Sequence, residues 1–519
     1  MLHKLIEKFN FFSKISNQVY FIVMAILSIV LVFSLDHYHT LDGPAHLYNA
    51  DLIQRLLLGD DLVDNWFVIN RSVIPNYTSY LIIQFFNSIF SPSLANKVFI
   101  LVNVLIPPFL FYKLLRVLKF DGLFWALLLF PLSFSNALQN GFYNFSIGVI
   151  FFLSYLIFLF KSEKLNNRFF ILNTLFLILL FYTHLYVFVL ASIVFGVSFF
   201  EREILPQLLN RKKGSNQKYI VANVFKAILS LSPGVALFVL FYLKHPSYGE
   251  QFLSIAELTR KLIDFSSIIS IHHGDESKHT SRIAVIVLLA FVYAVYSYFK
   301  SGADSYKSLI FIVLIALLTV FYYSMPDSMG YASFLSNRHQ WYLLLFVLIF
   351  VSSTAFPKVI KVLLPIVFIY LHFKLLLIIY KYEQPFQRMI SELYSVTEVV
   401  DEYSVIFPVS YADTWESGHA SNYVGALKPL ILLDNYEAAQ DYFPLMWNTA
   451  HPKIDLDTVC SNKNALPKFT LSNNKDSILS PLYLAYSDHK MNWDSLCSLP
   501  INSSIKYRTD YVLLYSISD

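Results

Sequence analysis

The feature that most constrains this chain is a series of apolar runs, each about as long as a membrane-spanning helix. A spanning helix needs about 20 apolar residues, because the hydrocarbon core is about 30 Å thick and a helix rises about 1.5 Å per residue. Hydrophobic residues make up 56% of the chain and charged residues only 14%, unlike a soluble globular protein of this size. The sequence therefore predicts an all-α polytopic membrane domain.

About eleven apolar runs qualify as transmembrane helices, although several are short. They cover residues 19–35, 95–118, 122–138, 142–160, 169–182, 184–200, 222–243, 283–299, 308–324, 340–355 and 362–380. We expect this membrane domain to occupy residues 1–380. Residues 44–58, in the first loop, have apolar side chains at helical spacing but are too short to span, which predicts an interfacial helix.

The basic residues predict the orientation, because cytoplasmic loops are enriched in lysine and arginine. If the runs alternate across the membrane, the main basic clusters fall on one side, at 113–119, 161–168, 202–218, 300–307 and 358–361. Loop 244–282 is an exception, because it falls on the other side and also holds basic residues. We therefore expect a multi-pass protein with its N-terminus in the cytoplasm.

The composition of the sequence changes after residue 380, where short apolar runs alternate with polar residues. Runs at 403–409, 430–433, 482–486 and 511–515 have the length of strands and are separated by turn residues. Residues 381–519 are thus predicted to form a soluble extracytoplasmic α/β domain. Trp415, Glu416, His419 and Tyr423 in this domain are either contacts to a glycan or members of its core.

The only two cysteines, Cys460 and Cys497, both lie in the predicted extracytoplasmic domain. An oxidising compartment would allow them to form a disulfide. Two unrelated buried thiols are the alternative, because spacing does not fix connectivity.

The most informative motif follows the first apolar run, where Asp42 and His46 flank Pro44. Proline suits the first turn of a helix, and Asp42 or Gly43 can occupy the N-cap. Asp42 and His46 are then about one helical turn apart, which suits an acid/base pair or a cation site. The alternative is structural: Asp42 caps the interfacial helix and His46 lies among lipid headgroups.

The segment Asp42-Gly43-Pro44-Ala45-His46 resembles the first-loop motif of the GT-C superfamily of glycosyltransferases. It is similar to the Asp-x-Pro-x-His variant of uncharacterised bacterial members. These enzymes transfer sugars from polyprenyl-phosphate donors, and a first-loop carboxylate acts as base or, in some branches, helps hold a metal. The resemblance implies a GT-C-like domain whose extracytoplasmic loop 36–94 carries the motif, in the cytoplasmic (inner) membrane of a bacterium. Better-known branches often have two adjacent acids, so Asp36 is an alternative base.

Several further polar residues fall on the predicted outer side and are candidate substrate-binding residues. They are Asn140, Tyr143, Asn144, His184, Arg338 and His339. Ionisable residues in apolar runs usually face a cavity, and an arginine there suits a lipid phosphate. Helix–helix hydrogen bonding and interfacial snorkelling are the structural alternatives.

The leading hypothesis is an enzyme, a glycosyltransferase that moves a sugar from a polyprenyl-phosphate donor to a glycan or lipid acceptor outside the cytoplasm. Asp42 would deprotonate the acceptor, His46 would orient it or contact the donor, and Arg338 would offset charge on the lipid phosphate. A lipid-linked glycan polymerase or ligase, a transporter or flippase, and a non-catalytic assembly subunit are the alternatives.

Cofactors and other partners are constrained mainly by missing motifs. The sequence has no helical zinc motif and no phosphate-cradling glycine loop, which disfavours zinc and nucleotide-sugar donors. A divalent cation such as Mg²⁺ or Mn²⁺ held by Asp42 is an open alternative. No basic aromatic patch indicates nucleic acid, so the lipid bilayer, donor and acceptor are the expected partners.

Overall fold

A computed structural model describes residues 17–162, 164–206, 217–245, 249–269, 274–300, 306–330, 332–448, 482–493 and 503–517. Cys460 and Cys497 lie outside these residues. The disulfide between them therefore stays a prediction.

The chain forms two compact units. The helical unit comprises Met1–Leu31, Leu101–Gln139 and Asn144–Ile379, and the mixed unit comprises Val32–Ile100, Asn140–Tyr143 and Tyr380–Asp519. The mixed unit thus combines residues of the first loop with residues of the predicted C-terminal domain. The predicted boundary between residues 380 and 381 stays a prediction.

Most of the described residues are helical. In chain order the α-helices are α1 Asn17–Ser34, α2 Gly43–Leu57, α3 Asp61–Asp64, α4 Thr78–Asn87, α5 Pro92–Leu118, α6 Leu129–Ser133, α7 Asn136–Gln139, α8 Tyr143–Lys161, α9 Asn167–Thr183, α10 Leu185–Phe199, α11 Gln217–Lys244, α12 Ile255–Asp264, α13 Ser266–Ile269, α14 Asp275–Lys300, α15 Tyr306–Ser324, α16 Leu335–Ser352, α17 Lys358–Val396 and α18 Asn422–Leu427. Leu123–Leu128, Trp415–Ser417 and Glu437–Ala439 are 3-10 helices, and Phe200–Ile204 forms a π-helical turn.

Seven helices in the described residues are long and apolar enough to cross a membrane. Leu123–Gln139, Asn167–Thr183 and Leu309–Ser324 are shorter apolar helical segments. The chain is therefore a multi-pass membrane protein by the length and composition of its helices. The count of eleven spans stays a prediction.

Two apolar runs differ from simple helices in a way that the sequence explains. Residues 122–138, predicted as one span, form a 3-10 helix followed by α6 and α7, with Pro131 inside α6. Proline lacks the N–H that a continuous helix needs, so a break here is expected. The long run 169–200 breaks at His184, which has an extended backbone between α9 and α10.

The strands described in the mixed unit are β1 Phe67–Ile69, β4 Val405–Ser410, β5 Ile431–Leu432, β6 Leu445–Trp447, β7 Leu482–Tyr486, β8 Ser503–Arg508 and β9 Val512–Ile517; β2 Glu250–Gln251 and β3 Ser328–Met329 belong to the helical unit. Four of the strands described in the mixed unit overlap the predicted apolar runs, whereas β1, β6 and β8 were not predicted. The main sheet has the order β5-β4-β7-β9-β8. Strand β4 is parallel to β5 and β7, whereas β9 is antiparallel to β7 and β8.

Two contacts join the first loop to the C-terminal segment within the mixed unit. Strand β1 pairs antiparallel with β6, and α2 packs against α18. The Tyr48 hydroxyl of α2 donates to the Leu430 carbonyl at 2.6 Å and accepts from the Leu432 amide at 3.1 Å. Gly425 of α18 fits against the same ring, because a Cβ there would lie 2.6 Å from Tyr48 carbons. Helix α2 is thereby fixed against the segment that runs from α18 to β5.

Candidate functional site

Asp42 occupies the N-cap position of α2, but its carboxylate does not cap the helix. The helix start is held by the backbone instead. The Asp42 carbonyl accepts from the His46 amide at 3.1 Å, and the Asp42 amide donates to the Asn140 carbonyl at 3.3 Å. The Asp42 side chain therefore does not act as a helix cap, because it is directed at other groups.

Two side chains from the C-terminal part of the mixed unit contact the Asp42 carboxylate. His419 Nε2 lies 3.6 Å from Asp42 Oδ1, and Tyr436 is near enough to Asp42 to interact with it electrostatically. The His419 and Tyr436 rings stack with centroids 4.3 Å apart. The side chains of Asp42 and His419 are 15% and 26% exposed, so a substrate can reach this group.

His46 is buried between two tyrosines rather than lying among headgroups. Its ring stacks on Tyr143 at 5.2 Å and meets the edge of Tyr80 at 5.0 Å between centroids. Its Nδ1 lies 3.3 Å from Glu437 Oε1. Burial lowers the pKa of His46 to about 4, against the opposing charge of Asp42. His46 is therefore a neutral imidazole near pH 7.

Glu437 is a fully buried carboxyl group beside His46. Its Oε2 accepts hydrogen bonds from the Asn49 amide and, at 2.6 Å, from the Tyr80 hydroxyl. The Tyr436 hydroxyl lies 3.3 Å from Oε1 and donates to it. Burial raises the pKa of Glu437 to about 7, although these hydrogen bonds oppose the shift.

The segment that carries Tyr436 and Glu437 is fixed by its amide and hydroxyl neighbours. Asn435 donates to Asn49 Oδ1 at 2.6 Å and accepts from the Ala438 amide at 3.2 Å. One residue earlier, Asp434 accepts from the Ser421 hydroxyl at 2.6 Å. Asn49 thus accepts from Asn435 and donates to Glu437, which positions Glu437 against α2.

Glycine is required where the 140–143 segment meets the start of α2. Gly141 has a φ of +75°, and a Cβ on it would lie 2.6 Å from the Asp42 amide nitrogen. Two residues later, the Tyr143 hydroxyl donates to Asn96 Oδ1 at 2.8 Å and lies 2.9 Å from Thr40 Oγ1. These contacts fix the backbone around the Asp42 carboxylate.

The helical unit contains a polar cluster formed by Arg338, His184 and His339. Arg338 Nη1 lies 3.4 Å from His184 Nε2. His339 donates from Nε2 to the Leu318 carbonyl at 2.7 Å, and its Nδ1 is hydrogen-bonded to the Tyr186 hydroxyl. His339 is fully buried, whereas Arg338 and His184 are half-buried.

A second cation of the helical unit, Lys261, contacts the first residues of α16 although it lies about 75 residues earlier in the chain. Lys261 Nζ donates to Ser336 Oγ at 3.0 Å and to Asn337 Oδ1 at 2.9 Å, and it lies 4.0 Å from Asp327. Asn337 precedes Arg338 and donates to Asn136 at 3.3 Å. Helix α16 therefore begins with polar residues that are held from several elements.

The predicted site residues separate into these two clusters. Asp42, His46, Asn140 and Tyr143 belong to the mixed unit, whereas His184, Arg338 and His339 belong to the helical unit. Asn144 is buried in the helical unit, and Asp36 is exposed in the mixed unit, near enough to Lys97 to interact electrostatically. The assignment of roles to these residues stays a prediction.

Sequence reasoning missed Tyr436, Glu437 and Lys261. Tyr436 and Glu437 come three and four residues after a predicted strand, which was the available signal, but nothing local connects them with Asp42. Of the four residues considered in the C-terminal domain, His419 contacts Asp42, Glu416 and Tyr423 are buried, and Trp415 is 50% exposed.

The residues around Asp42 are a poor set for a divalent cation. Mg²⁺ and Mn²⁺ favour about six oxygen ligands, whereas Asp42 is accompanied by an imidazole and a phenol. Within the described ranges, no group of three or more His, Cys, Asp or Glu side chains could hold a metal ion. We therefore derive no step through a metal.

Replacing Gly141 with alanine should disturb the Asp42 backbone. Gly59 is the matched control, because its φ of +80° is similar but a Cβ there meets nothing within 4 Å. We expect Gly59→Ala to lower the free energy of unfolding by about 1 kcal/mol, the cost of a left-handed backbone. Gly141→Ala should lower the free energy of unfolding clearly more than Gly59→Ala, because its Cβ also clashes with the Asp42 backbone. Thermal unfolding in nanodiscs measures both, and equal effects would contradict the close approach.

Replacing Glu437 with glutamine should change how stability depends on pH. A carboxyl group whose folded pKa is raised stabilises the fold fully below its unfolded pKa, and that stability is lost as pH rises through the folded pKa. The wild type should thus lose up to about 3 kcal/mol relative to Glu437→Gln between pH 5 and 8. Unfolding midpoints of the wild type and Glu437→Gln, measured between pH 5 and 8, test this prediction. A constant difference would contradict the burial of an ionisable Glu437.

Comparison with known proteins identifies a solved structure of similar fold. The sequence matches no protein-family model and no curated protein. The structure is similar to the crystal structure of ArnT from Cupriavidus metallidurans in the apo state, with a TM-score of 0.53 and 10% sequence identity. The similarity covers 96% of this chain and 97% of that chain. The chain therefore has an ArnT-like fold over nearly its whole length.

Proposed function

We propose that the protein is a membrane glycosyltransferase that transfers a sugar from a polyprenyl-phosphate donor to a glycan or lipid acceptor. The observation that carries the proposal is the Asp42 carboxylate, which is partly exposed at the start of α2 and faces His419 and Tyr436 instead of capping the helix. The fold supports it, because ArnT is a GT-C glycosyltransferase. A shared fold does not fix the activity, so the site carries the argument.

In the proposed reaction Asp42 is the general base. Its carboxylate takes the proton of the acceptor hydroxyl while the acceptor oxygen forms a bond to the anomeric carbon. The bond from that carbon to the lipid phosphate oxygen breaks, and its electron pair stays on the phosphate. This single displacement inverts the configuration at the anomeric carbon.

His46 has a supporting role in this mechanism. It is neutral near pH 7 and buried between Tyr80 and Tyr143, so it supplies no positive charge to a phosphate. Its amide holds the Asp42 carbonyl, and its ring contacts Glu437. We therefore assign His46 to positioning Asp42 and the acceptor rather than to the donor phosphate.

Arg338 is the proposed partner of the lipid phosphate. A guanidinium matches two phosphate oxygens and is more weakly hydrated than an ammonium, so it offsets negative charge on a leaving phosphate effectively. His184 lies beside Arg338, and Lys261 contacts Ser336 and Asn337 at the start of α16. His339 is fully buried and bonded to Leu318 and Tyr186, so we assign it to positioning this part of α16. We propose that this cluster binds the donor on the outer side of the cytoplasmic membrane of a bacterium, with the N-terminus inside.

Substitution of the proposed base is the direct test of function. Asp42→Asn keeps the size of the side chain but removes its basicity, so we expect sugar transfer in proteoliposomes to fall roughly 100-fold or more. Asp36→Asn is the matched control, because Asp36 is an exposed acid of the same loop and the alternative base. Loss of transfer in Asp36→Asn alone would move the base to Asp36.

Other outcomes of the same assay distinguish the alternative functions. Repeated addition of lipid-linked units by the wild type would indicate a polymerase. Movement of an intact lipid-linked glycan across the membrane without a new glycosidic bond would indicate a flippase. Neither activity, across donors of different sugars and lipid lengths, would indicate a non-catalytic subunit.

Substitution of Arg338 should affect turnover more than donor binding. Arg338→Gln removes the charge that offsets the leaving phosphate, so we expect kcat to fall roughly 100-fold. Arg338→Lys keeps the charge without the planar geometry, so its kcat should lie between those of the wild type and Arg338→Gln. Arg282→Gln, an exposed arginine of the same unit, is the control. An unchanged kcat in Arg338→Gln would contradict the assignment.

A further inference from the structure

We propose that the exposed indole ring of Trp415 is a stacking platform for a pyranose ring of a glycan acceptor, with the Asp413 carboxylate and the His489 imidazole as its polar contacts. The subsite itself rests on contacts within the mixed unit. Its part in the reaction rests on the proposed function, in which the acceptor reacts at Asp42. Trp415 is then a specificity-determining residue that selects acceptors of two or more sugars.

Trp415 follows the end of one of two parallel strands. Strands β4 and β7 are parallel and end side by side. The Tyr411 amide extends their pairing, because it donates to the Tyr486 carbonyl at 2.8 Å. The segments 411–417 and 487–489 therefore leave the sheet at the same edge, which is where open α/β sheets commonly bind their ligands.

One buried carboxylate fixes the backbone that carries Trp415. Asp488 Oδ1 accepts from the Asp413 amide at 3.1 Å, and its Oδ2 accepts from the Thr414 amide at 3.0 Å and from the Thr414 hydroxyl. The Thr414 hydroxyl also lies 3.0 Å from Ser417 Oγ. This segment is thereby ordered before a ligand arrives, which lowers the entropic cost of binding.

Asp413 and Trp415 project from the same side of this segment. Thr414 lies between them with an extended backbone, in which successive side chains point in opposite directions. Because the Thr414 side chain points to Asp488, its two neighbours point outward. The Asp413 side chain is accordingly 86% exposed and Trp415 is 50% exposed. His489 is exposed on the same surface, since its Nδ1 lies 3.6 Å from Asp413 Oδ2.

The same segment leads directly to Asp42. The 3-10 helix Trp415–Ser417 continues into a turn, in which the Gly418 amide donates to the Trp415 carbonyl at 3.0 Å. The next residue is His419, whose Nε2 lies 3.6 Å from Asp42 Oδ1. The chain from Trp415 to His419 spans at most about 14 Å even when extended. We therefore assign the indole to the acceptor sugar next to the one that reacts at Asp42.

The chemistry of this surface matches a pyranose rather than a lipid. A pyranose has a face of C–H groups, which pack against the negative face of an aromatic ring. Its hydroxyl groups can donate to the Asp413 carboxylate and form hydrogen bonds with the His489 ring. Lys490, next to His489, forms an exposed ion pair with Asp510 at 3.1 Å. Burying this surface in a bilayer would remove water from these charges, which is costly.

Fluorine NMR tests the subsite without turnover. Full-length protein in nanodiscs is labelled with 5-fluorotryptophan at its six tryptophans. The Trp415 resonance is the one that is missing from Trp415→Phe. Cellobiose, maltose and chitobiose are the probes, and mannitol is the control for unspecific effects of a polyol. Stacking depends on the C–H face that these disaccharides share, so we expect the Trp415 resonance to shift saturably with them and not with mannitol.

Substitution of Asp413 tests the polar contact. Asp413→Ala should weaken the binding of a disaccharide at Trp415 roughly 10-fold, because a hydrogen bond to a charged group is lost. Asp401→Ala is the matched control, since Asp401 is an exposed acid at the other end of β4 and should leave the Kd unchanged. Equal effects of the two substitutions would contradict a contact at Asp413.

Two results would overturn the subsite. One is the absence of a saturable response of Trp415 to any of the three disaccharides. The other is broadening of the Trp415 resonance by a phospholipid with a nitroxide on its headgroup, combined with no response to the disaccharides, which would identify a membrane anchor.

Transfer assays separate the subsite from the proposed function. Trp415→Ala should raise KM for disaccharide acceptors roughly 10-fold while leaving kcat, and transfer to a monosaccharide, unchanged. Phe85→Ala, at an exposed aromatic residue of α4 in the same unit, is the matched control. Saturable binding at Trp415 in a protein that transfers no sugar would keep the subsite and remove the function. Transfer with an unchanged KM in Trp415→Ala would do the reverse.

Discussion

The candidate site depends on one interaction, the burial of the Glu437 carboxyl group against helix α2. Asn49 and Tyr80 of the first loop donate to it, and His46 faces it. Removing these donors would leave a buried carboxyl group without compensation, at a cost of several kcal/mol. The position of segment 434–439 therefore depends on the position of α2. That mutual dependence places Tyr436 and His419 beside Asp42, although about 380 residues of chain separate them.

The polar groups of the two units have different electrostatic characters. In the mixed unit, burial makes His46 and His419 neutral near pH 7 and raises the pKa of Glu437 to about 7, so Asp42 is a partly exposed carboxylate in an otherwise nearly neutral group. In the helical unit, Arg338 and Lys261 contribute positive charge near the start of α16.

The sequence predicted much of the secondary structure and part of the site. Apolar length is a local property, so the runs became helices, and Pro131 and His184 mark breaks where the backbone or the polar side chain disfavours continuation. Helical spacing predicted that Asp42 and His46 lie one turn apart, but the His46 ring faces Glu437 and the Asp42 carboxylate faces His419. The role of Glu437 could not be read in this way, because a single sequence carries no record of which distant residue donates to which. The N-cap preference also predicted that the Asp42 side chain could cap α2, but backbone hydrogen bonds fix the helix start and the side chain makes tertiary contacts instead.

The most direct test of the account is a cryo-electron microscopy structure of the protein in nanodiscs with a non-hydrolysable polyprenyl-phosphonate sugar analogue. We expect density for the sugar next to the Asp42 carboxylate and His419, and density for the phosphonate next to the Arg338 guanidinium. Sugar density beyond hydrogen-bonding reach of Asp42, on a surface formed by other residues, would contradict the assignment of Asp42 as the base.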